Sequence, residues 1–333
     1  MDVQATATAI GETIETLARL GGPIEIIMIA LSVAMLALAL VPTLRRWLRA
    51  GFAVTAAVLL VGEALLIWFH WRLYQLCVVV NPETGEIVGR MAVPLWVESE
   101  KLYFWALLLA VLGAVLVRHR AELLPGAAIL TSILMFAAAT SGNPFTEPLP
   151  RFFGLYGGYL QAMASGVPAI AMDGFQRIEG SRQFFYNTWY MWVHPPMLFL
   201  SYAAFALAFI ATIQMVLKRH SSFETTAYRW TRFGYLQLTA GLLVGFPWAV
   251  MAWEGASWWW SGKVNMSIMM WLLYTAVLHA RLYLRKRGMW KTVAALGLTS
   301  FIVLVLTYLS SYVVPGAHAY VASLMVPLIG GKA

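Results

Sequence analysis

The chain has 333 residues, of which 61% are hydrophobic and only 11% are charged. An ordinary soluble domain carries about 25% charged residues, so this composition excludes a water-soluble globular protein. The single cysteine, Cys77, excludes an internal disulfide framework and the paired-cysteine haem attachment site of a c-type cytochrome. The net charge of +8 comes from short basic clusters between long apolar runs, which favours membrane topology over nucleic-acid binding.

Eight apolar segments approach the length needed to cross a bilayer, whose core of about 30 Å requires about 20 apolar residues in a helix. Asp2, Glu12 and Glu15 stand where a secretory signal carries basic residues, so we expect no cleaved targeting peptide. The sequence therefore predicts an all-α integral membrane protein, a bundle of about eight transmembrane helices in one polytopic domain over residues 1–333. The predicted helices are Ile24–Val41, Gly51–Trp71, Leu102–Val117, Leu123–Thr140, Met191–Val216, Phe233–Ala252, Asn265–Ala280 and Val293–Val313.

The loops between these segments predict the orientation, because short cytoplasmic loops collect Lys and Arg. Fourteen of the 23 basic residues lie in four short connections, at residues 42–50, 118–122, 217–232 and 281–292. Both termini are therefore predicted on the outer, periplasmic side of a bacterial inner membrane. The three predicted outer loops are residues 72–101, 141–190 and 253–264. The second of them is long enough to hold short helices against the membrane.

Two histidines, His194 and His318, fall at the predicted outer surface on either side of a tryptophan-rich loop. His194 precedes Pro195 and Pro196, and two prolines in a first turn predict an abrupt helix start with the imidazole just before it. His318 follows the last predicted helix on the same face. Two histidines distant in sequence are therefore expected at one level of the membrane.

The loop between these histidines has four tryptophans in eight positions: Trp253, Trp258, Trp259 and Trp260. An aromatic belt at the headgroups explains a single tryptophan, but this density favours a surface for a flat apolar ring system. Each aromatic contact contributes about 0.5–1.5 kcal/mol beyond area burial, and two neutral imidazoles ligate a metal at the centre of the ring. The predicted ligand is non-covalent, b-type haem, with Lys263 and outer-loop arginines meeting its propionates.

Two ionisable side chains lie within predicted spans, where such groups are costly and usually face a cavity or a partner. His279 is either hydrogen-bonded to a neighbouring carbonyl or ligates a buried b-type haem, whose second axial ligand would come from a partner subunit or a different group. Glu63 is a candidate for proton or quinol handling. His119 and His220 are expected to be solvated in inner loops, and His70 fits an interfacial belt as well as a ligand.

Several stretches occur together in a recognisable order along the sequence. In this order they resemble the membrane haem-handling proteins of cytochrome c assembly, the CcmF, CcsA and CcmC group. The resemblance extends over about residues 141–321, the haem-handling region. The stretches are Ser141-Gly142-Asn143-Pro144-Phe145, Leu149-Pro150, His194-Pro195-Pro196-Met197-Leu198-Phe199-Leu200-Ser201-Tyr202, Asn265, Ser267, Trp271, Leu278-His279-Ala280-Arg281 and Ala317-His318-Ala319-Tyr320.

The resemblance implies that His194 and His318 ligate an outer haem and that His279 is one ligand of a membrane-embedded haem. In that family the loop reads Trp-x-Trp-Asp-Pro-x-Glu. Trp258 and Trp260 hold the tryptophan positions here, while other residues replace Asp, Pro and Glu, so the chain is a divergent member. The replacing residues are Ser261, Gly262 and Val264.

Two functions of different classes follow. In the first, the chain holds haem at the outer face and presents it to apocytochrome c, as a component of a cytochrome c haem lyase. In the second, it is an integral subunit of a respiratory or electron-transfer complex that keeps a b-type haem or a quinone, or anchors multihaem cytochromes. Both imply other membrane subunits as partners. A solute transporter is less favoured, since no inverted repeat is apparent.

Overall fold

The computed structural model describes residues 2–116, 120–253, 258–283 and 289–314. Helices occupy the described residues of all eight segments where the sequence predicts them, so the all-α membrane class is confirmed. Internal contacts divide the chain into two compact units, Met1–Pro196 and Met197–Ala333, here called unit 1 and unit 2. The single polytopic domain stays a prediction.

Four long helices build the core of unit 1. Helix α1 packs against α2 and α4, and α3 packs against the same two helices. Lipid tails are as apolar as leucine, so close packing rather than water exclusion holds such helices together within a bilayer. The four helices are α1 (Val3–Leu40), α2 (Leu48–Leu76), α3 (Lys101–Leu116) and α4 (Leu124–Ala137).

Helix α1 begins 21 residues before the predicted span, which starts at Ile24. Its N-terminus is capped by Asp2, whose Oδ1 accepts the Ala5 N–H at 2.9 Å. The helix continues through Pro23. The prediction missed this first half because it followed the apolar run alone, whereas a polar segment with a good cap also forms a helix.

The loop after α4 is anchored by Phe145. Its ring is fully buried against Gly21 and Gly62, where an added Cβ would collide with it. Glu25 Oε1 accepts the backbone N–H groups of Phe145 at 3.0 Å and Thr146 at 3.3 Å, and Oε2 accepts the Thr146 hydroxyl at 2.9 Å. Glu25 is thus a buried carboxyl inside a predicted span, which the sequence analysis overlooked.

Two outer segments of unit 1 carry further structure. The loop at residues 141–190 holds two short helices, α5 (Pro150–Ala164) and α6 (Pro168–Ser181), so the prediction of short helices there is confirmed. The loop at residues 72–101 forms an unpredicted hairpin of β1 (Val78–Val80) and β2 (Ile87–Arg90). The Tyr159 hydroxyl of α5 accepts the Val80 N–H at 2.8 Å, which ties the hairpin to α5.

Unit 2 is formed by α7 from Met197 onward and three following helices. Phe205 of α7 stacks on Tyr274 of α9, with ring centroids 3.5 Å apart, and Phe209 stacks on Phe301 of α10 at 4.3 Å. Gly234 of α8 lies against Phe205, where a Cβ would meet the ring at 2.8 Å. The helices are α7 (Trp189–Lys218), α8 (Ser221–Ala252), α9 (Gly262–Leu282) and α10 (Trp290–Val313).

Six helices of the described ranges are long and apolar enough to cross a membrane: α1, α2, α4, α7, α8 and α10. The chain is therefore a multi-pass membrane protein. The count of eight spans and the outer position of both termini stay predictions.

Candidate functional site

Three consecutive tryptophans, Trp258, Trp259 and Trp260, form a 3-10 turn before α9 and are here called the tryptophan platform. Trp258 is buried, and its ring stacks on Trp259 with centroids 3.9 Å apart and planes 25° apart. Trp259 and Trp260 are 51% and 81% exposed. The platform therefore offers flat apolar surface outside the protein core, a feature typical of ligand, partner or membrane contact.

The platform is fixed by the helices on both sides of it. Phe246 of α8 lies 6.4 Å from Trp258 and 5.6 Å from Trp259, measured between ring centroids. Ser261 follows the platform as the N-cap of α9, and its Oγ accepts the Val264 N–H at 3.4 Å. The three indoles are consequently held at a helix start rather than on a free loop.

The other two predicted residues of this loop also have aromatic neighbours. Trp253 lies edge-on to Trp248 of α8, with centroids 4.9 Å apart. Lys263 Nζ lies 5.6 Å from the ring centroid of Tyr308 in α10, a cation–π distance. Lys263 is thus a cationic side chain in the first turn of α9, and it follows Trp259 by four residues.

The two prolines after His194 predicted that the helix starts just after this residue, and this prediction is wrong. Helix α7 begins at Trp189, and Pro195 and Pro196 lie inside it. Because Pro195 has no N–H, the Met191 carbonyl loses its helical donor.

An indole supplies the missing hydrogen bond. Trp96 Nε1–H donates to the Met191 carbonyl at 2.6 Å, so a side chain from the loop before α3 stabilises the proline-containing turn. Trp96 also lies edge-on to Trp192, at 5.7 Å between centroids. Half-buried His194 therefore stands on a turn held in place by aromatic side chains.

His318 lies outside the described residues, so the meeting of two imidazoles stays a prediction. What the described residues do provide fits one part of a haem: a stacked, exposed indole surface and a nearby ammonium group, in Trp259, Trp260 and Lys263. Such groups suit an apolar ring that carries carboxylates.

His279 is exposed on α9, and its Nδ1 lies 2.9 Å from the Thr275 carbonyl. A carbonyl only accepts, so Nδ1 carries a proton, and in the neutral imidazole the lone pair is on Nε2. The expected hydrogen bond to a neighbouring carbonyl is thus present, and the same bond prepares Nε2 to ligate a metal.

A series of hydrogen-bonded polar side chains connects α8 and α9 near His279. The Trp271 indole donates to Thr239 Oγ1 at 2.9 Å, and the hydroxyls of Tyr235 and Thr275 are also 2.9 Å apart. The rings of Tyr235 and Trp271 stack at 5.9 Å. These bonds fix the helix face that carries His279.

His70 is neither an interfacial belt residue nor solvent-facing, because it is buried at 7% exposure. Its Nε2 lies 2.7 Å from Glu100 Oε1, and its Nδ1 lies 2.7 Å from the Val93 carbonyl. Burial raises the pKa of Glu100 above its ordinary value, while His70 acts in the opposite direction. Sequence reasoning missed Glu100 because its partner lies 30 residues away in the chain.

Glu63 lies on α2 seven residues before His70. Its Oε2 is buried and has no hydrogen-bond partner among the described residues. Electrostatic interactions couple Glu63 to Glu100 and to His70. The predicted proton-handling residue thus belongs to a group of three interacting titratable side chains, of which His70 and Glu100 are buried.

Comparison with known proteins places these features in a family. The sequence profile of the family described as "Cytochrome C assembly protein" matches residues 95–318, about two thirds of the chain. The match includes Glu100, His194, the tryptophan platform, His279 and His318. The resemblance drawn from the sequence is thereby confirmed.

Individual relatives carry the same description. The chain is 34% identical over 134 residues to the cytochrome c-type biogenesis protein CycK of Bradyrhizobium diazoefficiens, covering 38% of this chain and 20% of that protein. It is 28% identical over 276 residues to CcmF of Haemophilus influenzae, covering 78% of this chain and 38% of the relative. With CcmF of Escherichia coli the identity is 26% over 219 residues, covering 61% and 30%.

The chain thus matches well under half of the length of each of these relatives. The family profile nevertheless covers most of the present sequence and runs across both units. On this ground the chain is a member of the cytochrome c assembly protein family.

Proposed function

We propose that the chain holds haem at the outer face of a bacterial inner membrane and presents it to apocytochrome c. His194 and His318 are the iron ligands in this proposal, and the tryptophan platform supports the ring. The observation that carries the proposal is the platform itself, two of whose three indoles are exposed beside a fixed helix start within the family match.

The residues of the chain act by positioning. Trp259 and Trp260 hold an apolar ring by stacking and keep water from its face. Lys263 pairs with a propionate, as cations do with carboxylates. When bound, haem supplies the vinyl groups to which the thiols of a Cys-x-x-Cys-His segment add.

Ser261 explains how a divergent loop keeps this arrangement. It stands where the family motif has Asp, and it caps α9 in the present structure. Ser and Asp are both favoured N-caps, because each offers an oxygen to the free amides of the first turn. The replacement therefore preserves the helix start that fixes the tryptophan platform, while the negative charge is lost.

His279 supports a second haem role, inside the membrane. Its Nδ1–H is held by the Thr275 carbonyl, so the Nε2 lone pair is available to iron. In this proposal the opposite ligand comes from another membrane subunit. A quinone site stays a prediction of the sequence.

Haem transfer is tested by replacing the exposed indoles. The double variant Trp259→Ala and Trp260→Ala is expressed in the host in place of the native chain. We expect it to lower the yield of holocytochrome c by at least about tenfold. A tenfold change corresponds to a loss of about 1.4 kcal/mol of interaction free energy between the indoles and the haem ring. The yield is measured by haem staining of the cytochromes. Trp47→Ala is the matched control, since Trp47 is 54% exposed on the 3-10 turn after α1.

Two results would contradict the proposal. An unchanged cytochrome yield in the double variant would remove the platform from haem transfer. Purification of the chain with stoichiometric multihaem cytochromes and a quinol-reducible haem would favour the respiratory subunit instead.

A further inference from the structure

Three titratable side chains interact in unit 1, away from the tryptophan platform in sequence, and two of them are buried. They are Glu63 and His70 on α2 and Glu100 in the turn before α3, here called the acid–imidazole cluster. His70 is 7% and Glu100 0% exposed. Neither the family match nor the proposed haem function assigns them a task.

The position of one proton in this cluster is fixed by geometry. The Val93 carbonyl can only accept, so His70 Nδ1 carries a proton and donates it at 2.7 Å. The other ring nitrogen, Nε2, faces Glu100 Oε1 at 2.7 Å. A single proton therefore lies between them, either on Nε2 or on the carboxyl oxygen.

Two oxygens of the cluster lack any donor. Glu63 Oε2 and Glu100 Oε2 are both buried, and neither has a hydrogen-bond partner within the described ranges. An unpaired carboxylate oxygen in an apolar interior is costly, and the usual remedy is protonation. The structure thus offers three positions for mobile protons: His70 Nε2, Glu100 and Glu63.

The three positions are close enough to influence each other. Glu63 and His70 are seven residues apart on α2, which is about two turns or about 10 Å along one helix face. Glu63 interacts electrostatically with both Glu100 and His70. From α3, Tyr103 faces the same region and donates its hydroxyl to the Leu59 carbonyl at 2.5 Å.

A metal ion is a less suitable occupant. Among the described residues, no group of three or more His, Cys, Asp or Glu side chains has a geometry that could hold one. The short contact between His70 and Glu100 already uses the imidazole nitrogen that a metal would need.

We propose that Glu63, His70 and Glu100 form a proton-binding site inside unit 1, which exchanges one proton with water while the chain stays folded. Two mobile protons on the three positions leave the cluster uncharged. Release of the Glu63 proton to water leaves one negative charge, and uptake from water restores the neutral state. The hydrogen bond between His70 and Glu100 persists in both states.

The test is infrared difference spectroscopy of the purified full chain in lipid nanodiscs, titrated over pH without haem. We expect a carboxylic acid band that disappears as the pH rises, shifts in D2O and is absent from Glu63→Gln. In Glu63→Asp the band is displaced rather than lost, which keeps the test valid if the amide variant folds poorly. Glu25→Gln is the matched control, because it removes another buried carboxyl of unit 1 and should leave the band in place.

Glu100→Gln tests whether the three groups share protons. The amide keeps a hydrogen-bonding group beside His70 but does not titrate, so the midpoint of the Glu63 band is expected to shift by at least about one pH unit. A band that survives in Glu63→Gln, or a midpoint that Glu100→Gln leaves unchanged, would overturn the proposal. Neither result bears on haem transfer, so the two proposals fail separately.

Discussion

Two groups of side chains of the same types, one in unit 1 and one in unit 2, have opposite environments. In unit 1 the imidazole of His70 and the indole of Trp96 have their polar atoms paired inside the protein. In unit 2 the rings of Trp259, Trp260 and His279 are exposed. Paired and buried groups stabilise a fold, whereas exposed aromatic groups mark contact with something else. Substitution should therefore affect stability in the unit 1 group and binding in the unit 2 group.

The largest loss of stability is expected from Glu100→Leu. It leaves the His70 imidazole buried without its partner, which costs about 3–5 kcal/mol of unfolding free energy. Trp259→Ala, at an exposed site, should cost about 0.5 kcal/mol or less. Urea unfolding in detergent, followed by circular dichroism, measures both, and equal losses would refute the contrast between the units.

A smaller loss is expected from Gly62→Ala. The new Cβ collides with the Tyr103 hydroxyl and the Phe145 ring, and overpacking costs about 1–3 kcal/mol. Gly157→Ala is the matched control, because open space surrounds Gly157 within α5. There alanine should stabilise the helix by up to about 1 kcal/mol. Thermal unfolding that ranks the two variants in the opposite order would show that the α2–α3 contact is loose.

The next largest loss of stability is expected from Trp96→Phe, which keeps an aromatic ring but removes the indole N–H donor. The Met191 carbonyl, already without a helical partner because of Pro195, then lacks any donor from Trp96. We expect a loss of about 1–2 kcal/mol. Restoring the amide with Pro195→Ala in the Trp96→Phe background should recover part of it. No recovery in urea unfolding would mean that the proline and the indole are not linked.

The smallest expected effect is the pH dependence of stability at the end of α6. The Arg182 guanidinium donates two hydrogen bonds to Glu179, which hold the pKa of this carboxyl below its ordinary value. The pair therefore stabilises the end of α6 above the ordinary Glu pKa of 4.5, and this contribution is lost as the pH falls through the lowered value. It amounts to at most about 1 kcal/mol.

Hydrogen exchange of the α6 amides, corrected for intrinsic rates, measures this contribution. Glu179→Gln should remove the acid sensitivity of the protection. Asp173→Asn, which breaks the exposed pair with Arg177, should leave it intact. Equal effects of the two substitutions would mean that burial adds nothing to the Glu179 pair.

The helices could be predicted because a bilayer imposes a minimum length on every apolar span. The hairpin at Val78–Arg90 was missed, although the Val78-Val79-Val80 run followed by Asn81 and Gly85 is a typical strand and turn signal. The loop was read only as a connection between spans. Its fold also depends on Tyr159, 79 residues away from Val80 in the chain.

Individual side chains were harder to predict than helices. The indoles of the platform stood out by their density, and the structure leaves two of them exposed, as a binding surface requires. The Glu100 partner of His70 depends on a contact across 30 residues that no local pattern encodes. The capping role of Ser261 was missed although Ser is a favoured N-cap and its contact is only three residues away. The prolines after His194 misled the prediction, because the helix continues through them and Trp96 gives the Met191 carbonyl the hydrogen bond that Pro195 cannot donate.

The central proposal is that His194 ligates haem. The most direct measurement is the absorption spectrum of the purified chain, oxidised and dithionite-reduced, for the native protein and His194→Gly. We expect a haem spectrum in the native chain, its loss or displacement in His194→Gly, and recovery when imidazole is added. A haem spectrum that His194→Gly leaves unchanged, or a native chain that carries no haem, would contradict the account.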